Sequence, residues 1–444
     1  MDYSPSVLEW VPEGRRRVFH ITLITLILNF AFPMDSLYEK YLTSTGVVTD
    51  SRKIVGGEMF FALRGDNFDG NLYAAKALEA GAKWAVVDNV EVAKDDRYVI
   101  VPDTLRTLQE LAHYHRTRLS IPVLAITGTN GKTTTKELVA AVLSRKLRTC
   151  YTQGNLNNHI GVPLTLLSIP ADAEFAIVEM GASAQGEIAL LASIAAPNYG
   201  LITNIGRAHL EGFGGVEGIR KGKGELYDFL ARSGGVALYC ADDEVLSAMV
   251  AERVGLQAVG YKTSLAEGVR SNLVGDYNRF NIAAAVAVGE YFGVEHKEIL
   301  SAIADYTPSN NRSQSMTTER NLLTVDCYNA NPSSMGVAIA NHNATTHPDY
   351  PHKVLILGDM LELGEWSHSE HLAVLKKALS GDAERVLLVG GNFSKTEEMT
   401  DSRVVRFAGS AELALWLDEN PLDGAFVLVK GSRGVGLERV LAKL

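Results

Sequence analysis

Short apolar runs alternate with stretches of helical periodicity along most of the chain, which predicts an α/β fold. The sharpest change of period follows Val123–Thr127, where five apolar or β-branched residues predict a buried strand. Beyond residue 134, Val139, Leu143 and Leu147 recur four residues apart, as they would on one face of a helix. The segment between these elements, 128–134, is therefore predicted to turn the chain tightly from a strand into a helix.

The first group of apolar runs predicts a small α/β N-terminal domain over residues 34–120. Strands are expected at Met59–Leu63 and Trp84–Asp88, on either side of a polar turn and a helix. The apolar positions of that helix are expected to include Leu72, Ala75 and Leu78.

Ile121-Pro122 marks the start of a central domain, predicted to be a P-loop domain with a parallel sheet, over residues 121–308. A C-terminal domain is predicted over 309–444, where apolar runs alternate with helical stretches as in a Rossmann-like parallel sheet. It lacks a G-x-G-x-x-G pattern after its first strand, so no dinucleotide site is predicted there. The four predicted strands are Leu322–Asp326, Val354–Gly358, Val386–Gly391 and Phe426–Gly431.

The first 33 residues do not fit this pattern. Arg15, Arg16 and Arg17 precede an apolar run, Val18–Phe32, that resembles the core of a signal peptide and is short for a membrane span. Because the segment beginning at Met34 already reads as the start of a soluble domain, we expect residues 1–33 to be an over-extended start. A membrane-associating leader is the alternative.

Composition narrows the classes of function. The 444 residues are 46% hydrophobic and 21% charged, as in ordinary globular proteins, and the net charge is -10. That charge argues against a general nucleic-acid or membrane-surface binder. The cysteines, Cys150, Cys240 and Cys327, are far apart and in no metal-ligand spacing, which fits a reducing cytoplasm.

The turn at 128–134 reads GTNGKTT and has the character of a phosphate-binding loop. A strand, a glycine turn and a helix N-terminus direct backbone N–H groups and the positive end of the helix dipole at one point. Lys132 would neutralise the β- and γ-phosphate oxygens, and the Thr133 hydroxyl would bind magnesium. The motif has two residues between its glycines instead of the usual four, and a plain turn with a surface lysine is the alternative. The residues expected to hold ATP here are Gly128, Thr129, Asn130, Gly131, Lys132, Thr133 and Thr134.

Two later strands of the central domain end in candidate ligands. The run FAIVEMG ends at Glu179, where a parallel strand would reach the ligand-binding edge of the sheet, so its carboxylate is placed to bind magnesium. The run GLITNIG is expected to end at Asn204, and the segment that follows carries His209 to the same edge. A satisfied structural histidine is the alternative for His209.

The roles of further polar groups in the central domain have two interpretations each. Asn157 and Asn158, in the amide-rich segment 154–167, suit a sugar or phosphate-bearing substrate, or cap a helix. Either Lys221 or Lys223 could carry charge at the site, and the spacing does not choose between them.

The remaining candidates lie outside these strands. Ser51 and Arg52 could hold an anionic substrate or form a surface turn. Asn278 and Asn281 could read a purine edge or begin a helix. In the C-terminal domain polar residues collect at strand ends, where ligands bind in such sheets: Asp326, Tyr328, Asn329, Lys430 and Arg433.

Taken together, these motifs resemble the ATP-dependent Mur ligases of peptidoglycan synthesis over essentially all of residues 34–444. The resemblance is carried by TDSRKIVGGEMFFALRG, GTNGKTTTKE, GNLNNHIGVPLTLL, VEMGASAQGEI, NIGRAHLEGFG, KGKGEL, DCYNANPSSM, ILGDMLELGE and VLVKGSRG. The DCYNANP and GDMLELG elements resemble the family members that join D-alanyl-D-alanine to UDP-N-acetylmuramoyl-tripeptide. A D-N-P-R element, usual in the relatives that add the third amino acid, is absent.

The resemblance implies roles for individual residues. It implies that Lys132, Lys223 and His209 are catalytic, with Lys223 at the position this family carbamylates. It implies magnesium binding by Thr133, Glu179, His209 and Lys223, nucleotide contacts by Asn281, Arg312 and Asp326, and binding of the UDP-sugar peptide by Ser51, Arg52, Asn157 and Asn158. In the family's G-x-H-N-x-x-N pattern, Tyr277 replaces the histidine.

The resemblance also implies that the N-terminal domain binds the UDP-sugar and that the C-terminal domain binds D-alanyl-D-alanine. It implies a cytoplasmic enzyme, which we expect to be a monomer acting on small molecules, without nucleic acid or stable membrane insertion. A carboxylate would attack the γ-phosphate of ATP, and the amine of the dipeptide would then attack the acyl phosphate. The alternatives are a folylpolyglutamate synthase-like ligase and a nucleotide-sensing protein without turnover. Glu179, His209 and Lys223 together argue against the sensor, which would have little use for a second metal site.

Overall fold

The computed structural model describes residues 33–273, 275–308 and 314–444. The described residues form two compact units, of which the first comprises 33–118 with 166–168 and the second comprises 119–165 with 169–444. The predicted leader, apart from Pro33, lies outside the described residues, as does Arg312. The three domain boundaries stay predictions. Within the described ranges no helix is both long and apolar enough to cross a membrane.

The first unit is built on a parallel sheet of four strands in the order β1-β2-β5-β6. Its helices pack Ala74, Ala77 and Leu78 against Phe60 and Ala85 of the sheet. Its strands are β1 (Val47–Val48), β2 (Met59–Phe61), β3 (Arg64–Gly65), β4 (Phe68–Asp69), β5 (Trp84–Val87) and β6 (Tyr98–Ile100), and its helices are α1 (Met34–Leu42), α2 (Ala74–Glu79) and α3 (Thr104–Arg116).

Two local predictions in this unit were wrong. The polar turn after β2 contains a hairpin of two short strands, β3 and β4. The predicted helix begins as a 3-10 turn, Gly70–Tyr73, capped by the Asp69 carboxylate, before α2 continues it. Because a 3-10 turn has three residues per turn and an α-helix 3.6, the phase changes, and Leu72 points to solvent with 74% of its surface exposed.

The central part of the second unit is a parallel sheet of six strands in the order β12-β11-β10-β7-β9-β8. All five residues of β7 are buried, as the apolar run predicted. The strands are β7 (Val123–Thr127), β8 (Thr149–Tyr151), β9 (Phe175–Glu179), β10 (Tyr199–Ile202), β11 (Val236–Cys240) and β12 (Gln257–Tyr261). The helices are α4 (Lys132–Leu143), α5 (Gly161–Leu167), α6 (Glu187–Ala195), α7 (Leu210–Phe213), α8 (Val216–Ser233), α9 (Glu244–Ala251), α10 (Asn278–Tyr291) and α11 (His296–Asp305).

The C-terminal part carries a second sheet of six strands in the order β13-β14-β18-β15-β16-β17. Five strands are parallel, and four of them, β14, β15, β16 and β18, were predicted. The parallel strand β17 and the edge strand β13, which runs antiparallel to β14, were not predicted. The strands are β13 (Gln314–Thr317), β14 (Leu322–Asp326), β15 (His352–Gly358), β16 (Arg385–Val389), β17 (Val404–Phe407) and β18 (Ala425–Lys430), and the helices are α12 (Pro332–Ala344), α13 (Ser367–Leu379), α14 (Gly391–Ser394) and α15 (Ser410–Glu419).

Strand β15 shows how this sheet builds a core on each face. Its side chains alternate, so Val354 and Ile356 join one buried cluster while Leu355 and Leu357 join the other. The second cluster continues into the central part through Leu210 and Phe213 of α7. That shared core holds the segment beginning at His209 against the C-terminal sheet.

Candidate active site

The loop between β7 and α4 has the backbone of a phosphate cradle. Gly128 and Gly131 have φ angles of +141° and +79°, which side chains with a Cβ rarely adopt. A Cβ on Gly128 would overlap the Thr203 hydroxyl, and a Cβ on Gly131 would overlap the Asn281 amide. Both glycines are therefore required for the close approach of these chains.

Asn130, between the two glycines, is held by several amide and hydroxyl groups. Its N–H donates to Asn204 Oδ1 at 3.1 Å, and its carbonyl accepts from Thr203 Oγ1 at 2.6 Å and Asn204 Nδ2 at 2.9 Å. Asn331 Nδ2, from the C-terminal part, donates to Asn130 Oδ1 at 2.8 Å. The predicted end of β10 at Asn204 was wrong because the strand stops at Ile202, which leaves Thr203 and Asn204 free to hold this loop.

Lys132 begins α4 and folds back over the loop. Its Nζ donates to the carbonyls of Gly128 at 2.7 Å and Thr129 at 3.1 Å. A cation, the positive end of a helix dipole and the first N–H groups of α4 therefore lie together, which is the arrangement that binds phosphate.

Glu179, the last residue of β9, lies beside the start of the same helix. Thr133 Oγ1 donates to its Oε1 at 3.2 Å and Asn157 Nδ2 donates to the same atom at 2.8 Å. Its Oε2 is buried and accepts no hydrogen bond from the described residues, while Lys136 Nζ lies 3.9 Å away. A buried carboxylate oxygen without a donor fits a divalent cation, and magnesium usually takes one or two carboxylates beside substrate phosphates.

No cluster of three or more histidine, cysteine or carboxylate side chains with metal-binding geometry occurs among the described ranges. The part of the site that fits magnesium is therefore Thr133 with Glu179. Lys136, which sequence reasoning missed, donates to the Thr152 carbonyl at 2.8 Å and has only 1% of its surface exposed. Its signal was a lysine three residues before Val139, on the helix face predicted to be core.

His209 precedes α7 with a φ of +51°, unusual for a residue with a side chain. Its Nδ1 hydrogen-bonds the carboxylate of Glu362, in the C-terminal part, whose own φ is +61°. Because an ionised carboxylate only accepts, Nδ1 donates the hydrogen of this bond, and in the neutral ring Nε2 then carries the lone pair. That tautomer leaves Nε2 able to bind a metal.

Burial distinguishes Lys223 from Lys221, which lies exposed on the same helix, α8. Lys223 Nζ donates to the Ala182 carbonyl at 3.1 Å and lies 5.1 Å from the centre of the Phe213 ring. Burial, and then the charge of Lys132, lower the pKa of Lys223 well below 10.5 against the opposing carboxylates of Glu187 and Glu225. A neutral amine is thus favoured at this position.

One cavity of about 930 Å³ joins most of these groups. It runs from the phosphate loop past Glu179 and His209 to the ends of β14 and β18 in the C-terminal part. Lys223 is not among its lining residues. The predicted site residues that line the cavity are Thr129, Asn130, Gly131, Lys132, Thr133, Thr134, Asn157, Asn158, Glu179, His209, Asn281 and Asp326.

Comparison with known proteins matches three family models to this chain: the Mur ligase family catalytic domain over residues 43–118, the Mur ligase middle domain over 126–289, and the Mur ligase glutamate ligase domain over 311–433. A UDP-N-acetylmuramoyl-tripeptide--D-alanyl-D-alanine ligase of Bacillus subtilis is 33% identical over 426 residues, which cover 90% of this chain and 93% of that protein. The ligase of the same name from Escherichia coli is 34% identical, over 91% of this chain and 94% of that protein.

The chain belongs to the Mur ligase family. Its fold is similar to that of MurF from Acinetobacter baumannii, with a TM-score of 0.81 at 28% identity over 93% of this chain and 98% of that one. It is also similar to MurF ligase from Thermotoga maritima in complex with ADP, with a TM-score of 0.78 at 26% identity over 91% and 97% of the two chains. The predicted family and its α/β fold are thereby confirmed.

Asn281 of this Mur ligase was predicted to contact nucleotide, but its side-chain amide forms hydrogen bonds to other side chains of the protein. Its Oδ1 accepts from Thr135 Oγ1 at 3.0 Å and its Nδ2 donates to Asn278 Oδ1 at 2.8 Å. Together with its contact to Gly131, these bonds support the phosphate loop. A nucleotide contact by Asn281 stays a prediction, and Arg312, predicted for the same role, lies outside the described residues.

Asp326 and Lys430 face each other across the register of β14 and β18. Lys430 Nζ donates to Asp326 Oδ2 at 2.5 Å and to the Asn329 carbonyl at 3.2 Å. Both residues of this ion pair line the cavity. Asp326 therefore lies at a strand end that borders the cavity, as predicted.

The predicted substrate residues differ in how the Mur ligase holds them. Asn158 Oδ1 accepts from the N–H groups of Ile160 and Gly161 at 3.1 and 2.9 Å, so it caps α5, whereas Asn157 contacts Glu179. In the first unit, Ser51 and Arg52 lie on a 3-10 turn, Ser51–Lys53. The Arg52 guanidinium donates to both oxygens of Asp50, and this bond lowers the pKa of Asp50 to about 2.

Sequence reasoning missed the bonds between the central and C-terminal parts. The Arg207 N–H donates to Ser333 Oγ at 2.7 Å, and its guanidinium pairs with Glu370 at 2.6 Å. With the Asn331–Asn130 and His209–Glu362 bonds, these contacts hold the two sheets of the second unit around one cavity. Their partners are more than 100 residues apart in sequence, so no local pattern could have indicated them.

Proposed function

We propose that this Mur ligase joins D-alanyl-D-alanine to UDP-N-acetylmuramoyl-tripeptide at the expense of ATP. The products are UDP-N-acetylmuramoyl-pentapeptide, ADP and phosphate, and the reaction belongs to peptidoglycan precursor synthesis. The observation that carries the proposal is the single cavity in which the phosphate loop, Glu179 and residues of the C-terminal part meet. The names of the relatives supply the substrates.

In the first step, a carboxylate oxygen of the tripeptide attacks the γ-phosphorus of ATP, and the bond from that phosphorus to ADP breaks. Two anions must approach each other, so the step needs positive charge and aligned N–H donors. Lys132 and the first turn of α4 supply both at the phosphate loop.

Thr133 and Glu179 are the residues that would hold magnesium, which supplies charge neutralisation at phosphate oxygens when it is bound. His209 is assigned as a further ligand, since its Nδ1–H is engaged by Glu362. The Asn157 amide holds one oxygen of the Glu179 carboxylate in place, and Lys136 Nζ lies 3.9 Å from the other oxygen.

Lys223 is assigned as a carbamylated lysine. Its neutral amine would attack the carbon of CO₂, forming an N–C bond and losing one proton, which turns a buried amine into an anion. The lowered pKa of Lys223 supports this step, because only the neutral amine is nucleophilic. Lys223→Ala should abolish ligation, while Lys221→Ala, an exposed change on the same helix, should leave it intact.

In the second step, the amine of the dipeptide attacks the carbonyl of the acyl phosphate, the carbon–oxygen bond to phosphate breaks, and a proton leaves the nitrogen. An acyl phosphate hydrolyses if water reaches it, so the site must exclude water around it. The contacts between the central and C-terminal parts support this role, because they enclose the cavity from both sides.

Further assignments follow the same proposal. Asn281, Arg312 and Asp326 would contact nucleotide, and Ser51, Arg52, Asn157 and Asn158 would bind the UDP-sugar peptide. Because the reaction consumes ATP, we place the protein in the cytoplasm. A monomer stays the prediction for its assembly.

The test is phosphate release from ATP and magnesium with UDP-N-acetylmuramoyl-tripeptide, with and without D-alanyl-D-alanine. We expect release only when both substrates are present, and release about 10²–10³-fold slower from Lys132→Ala. Release that needs neither substrate, or ATP binding without release, would contradict this function. It would favour a nucleotide-sensing protein or a ligase with other substrates.

A further inference from the structure

Lys136 of α4 takes no part in the two ligation steps proposed above. Only 1% of its surface is exposed, and it is not among the residues that line the large cavity. A lysine is almost never fully buried unless a charge partner offsets its loss of hydration. The groups around its ammonium therefore indicate what the charge is used for.

Thr133 and Lys136 lie three residues apart on α4, so both face the end of β9 from one side of the helix. They approach different oxygens of one carboxylate. Thr133 Oγ1 donates to Glu179 Oε1, whereas Lys136 Nζ lies 3.9 Å from Glu179 Oε2. At that distance the ammonium contributes charge and no hydrogen bond. Because Glu179 is only 1% exposed, water contributes little, and the ammonium offsets the charge of the carboxylate.

Thr152, which follows β8, fixes both members of this pair. Its carbonyl accepts from Lys136 Nζ at 2.8 Å, and its hydroxyl accepts from the Glu179 N–H at 2.9 Å. Glu179 lines the large cavity, whereas Lys136 and Thr152 do not. The ammonium is therefore held at a fixed place beside the carboxylate and outside the cavity.

A second carboxylate near Lys136 depends on it less. Glu137 Oε1 lies 3.7 Å from Lys136 Nζ, but 23% of the Glu137 side chain is exposed and its other oxygen accepts from the Tyr306 hydroxyl. Water and a hydroxyl therefore stabilise that anion. Glu179 Oε2 accepts no hydrogen bond from the described residues, so loss of the ammonium would leave Glu179 as the uncompensated charge.

The cation that stabilises Glu179 acts against a metal ion bound to it. A divalent ion held by Thr133 and Glu179 would share the carboxylate with the Lys136 ammonium, and like charges repel more strongly in a buried site than in water. The ammonium therefore lowers the affinity of this site for a metal ion alone. Phosphate oxygens of ATP add negative charge at the same place and offset that repulsion.

We propose that Lys136 is an internal counter-ion of Glu179 that makes divalent-metal binding at this site depend on bound nucleotide. The proposal rests on the magnesium role of Glu179 in the function proposed above. Lys136 acts through Glu179 and touches no substrate, so it is a positioning residue. When no nucleotide is bound, the ammonium compensates the carboxylate and a metal ion binds weakly. When ATP is bound, its phosphates retain the metal ion, so the two occupy the site together.

The test measures the binding of Mn²⁺ alone to the full chain, from the electron paramagnetic resonance signal of the free ion. Mn²⁺ takes the same kinds of oxygen ligand as Mg²⁺. Lys136→Met keeps the length of the side chain without its charge, and we expect it to lower the Kd of Mn²⁺ about tenfold or more. Lys136→Gln, a second neutral variant that keeps a polar end, should lower the Kd as well.

Lys353→Met is the matched control. Lys353 is also buried and also bonds a carbonyl and a carboxylate, those of Asn343 and Asp382, but it does not line the large cavity. Its loss should leave the Kd of Mn²⁺ unchanged. Adding Glu179→Gln to Lys136→Met should abolish the tighter binding, because the carboxylate through which Lys136 acts is then absent.

Urea unfolding separates this role from a purely structural one. In chelator, Lys136→Met should be less stable than the wild type, and saturating Mn²⁺ should stabilise it more than it stabilises the wild type or Lys353→Met, because tighter binding to the folded protein gives a larger shift. An unchanged or higher Kd in both Lys136 variants, or a stability loss that Mn²⁺ does not reduce, would overturn the inference.

Ligation is measured separately on the wild type, so the two failures can be told apart. Ligation that requires both substrates, together with Mn²⁺ binding that does not respond to Lys136, would keep the function and refute the inference. Tighter Mn²⁺ binding in Lys136→Met, with no ligation by the wild type, would refute the function and keep Lys136 as the counter-ion of a metal site.

Discussion

The phosphate loop and the His209–Glu362 junction line the same cavity but are held in opposite ways. The loop occupies seven consecutive residues, and Asn130 between its two glycines is fixed by neutral amide and hydroxyl bonds to Thr203, Asn204 and Asn331. The junction joins two residues 153 apart in sequence, both in left-handed backbone and linked through a carboxylate. The loop is thus held mainly by residues of the central part, with one bond from Asn331 of the C-terminal part, whereas the junction exists only while the two parts are in contact.

This difference predicts different consequences for changes in the two regions. Changes in the loop should act directly on phosphoryl transfer, whereas changes at the junction should act through the position of His209 and through the contact between the central and C-terminal parts.

The largest effect is expected for Lys132→Ala, which removes the cation of the phosphate loop. Turnover should fall about 10²–10³-fold, because one aligned charge donor is lost where charge develops. Lys221→Ala is the matched control. The measurement is acyl phosphate formation without dipeptide together with circular dichroism, and near-normal turnover in a folded Lys132→Ala protein would remove the lysine from its assigned role.

Glu179→Gln should have the next largest effect. The amide keeps the shape of the side chain but removes the buried anion beside Thr133, so the magnesium concentration for half-maximal activity should rise about tenfold or more. Glu174→Gln, an exposed acid just before β9, is the control. A magnesium dependence identical to that of the wild type would contradict the assignment of Glu179.

The burial of Lys223 can be tested through the pH dependence of the free energy of unfolding. Because its pKa is lowered in the folded protein, the unfolded chain binds one more proton between that value and 10.5. The free energy of unfolding of the unmodified wild type should therefore rise across this window relative to Lys223→Met, by up to about 1.4 kcal/mol per pH unit, and level off above it. Urea unfolding in CO₂-free buffer measures the difference. Parallel pH profiles for the two proteins would show that Lys223 titrates normally.

The smallest effect is expected at the neighbouring residues Asn157 and Asn158, whose side chains have different roles. Asn158→Ala should lower the free energy of unfolding by about 1 kcal/mol, since Asn158 Oδ1 caps α5. Asn157→Ala should change stability less and the magnesium dependence more, because its amide bonds Glu179. Chemical denaturation of both variants compares them, and equal stability losses would count against the distinction.

The sequence predicted what depends on neighbouring residues. The buried run Val123–Thr127, the glycine turn and the helix after it lie within one short segment, so their pattern alone indicated a phosphate loop. One strand end could be predicted for the same reason, since β9 ends at Glu179 as predicted, whereas the predicted end of β10 at Asn204 was wrong.

What it could not predict depends on contacts between distant segments or on weak patterns. The edge strands β13 and β17 have half-exposed residues without a clear apolar run. Lys136 was hidden because a lysine on a helix is usually exposed. The choice of Lys223 over Lys221 required knowledge of burial or family resemblance. The role of Glu362 depends on its bond to His209, which forms only in the folded protein between segments distant in sequence.

The central claim is that ATP activates a substrate carboxylate as an acyl phosphate. Ligation with UDP-N-acetylmuramoyl-tripeptide that carries isotopically heavy oxygen in the reacting carboxylate tests it most directly. The account predicts that one heavy oxygen from each carboxylate leaves with the released phosphate, measured by mass spectrometry. Phosphate free of the label, with pentapeptide still formed, would show that the carboxylate is never phosphorylated and would contradict it.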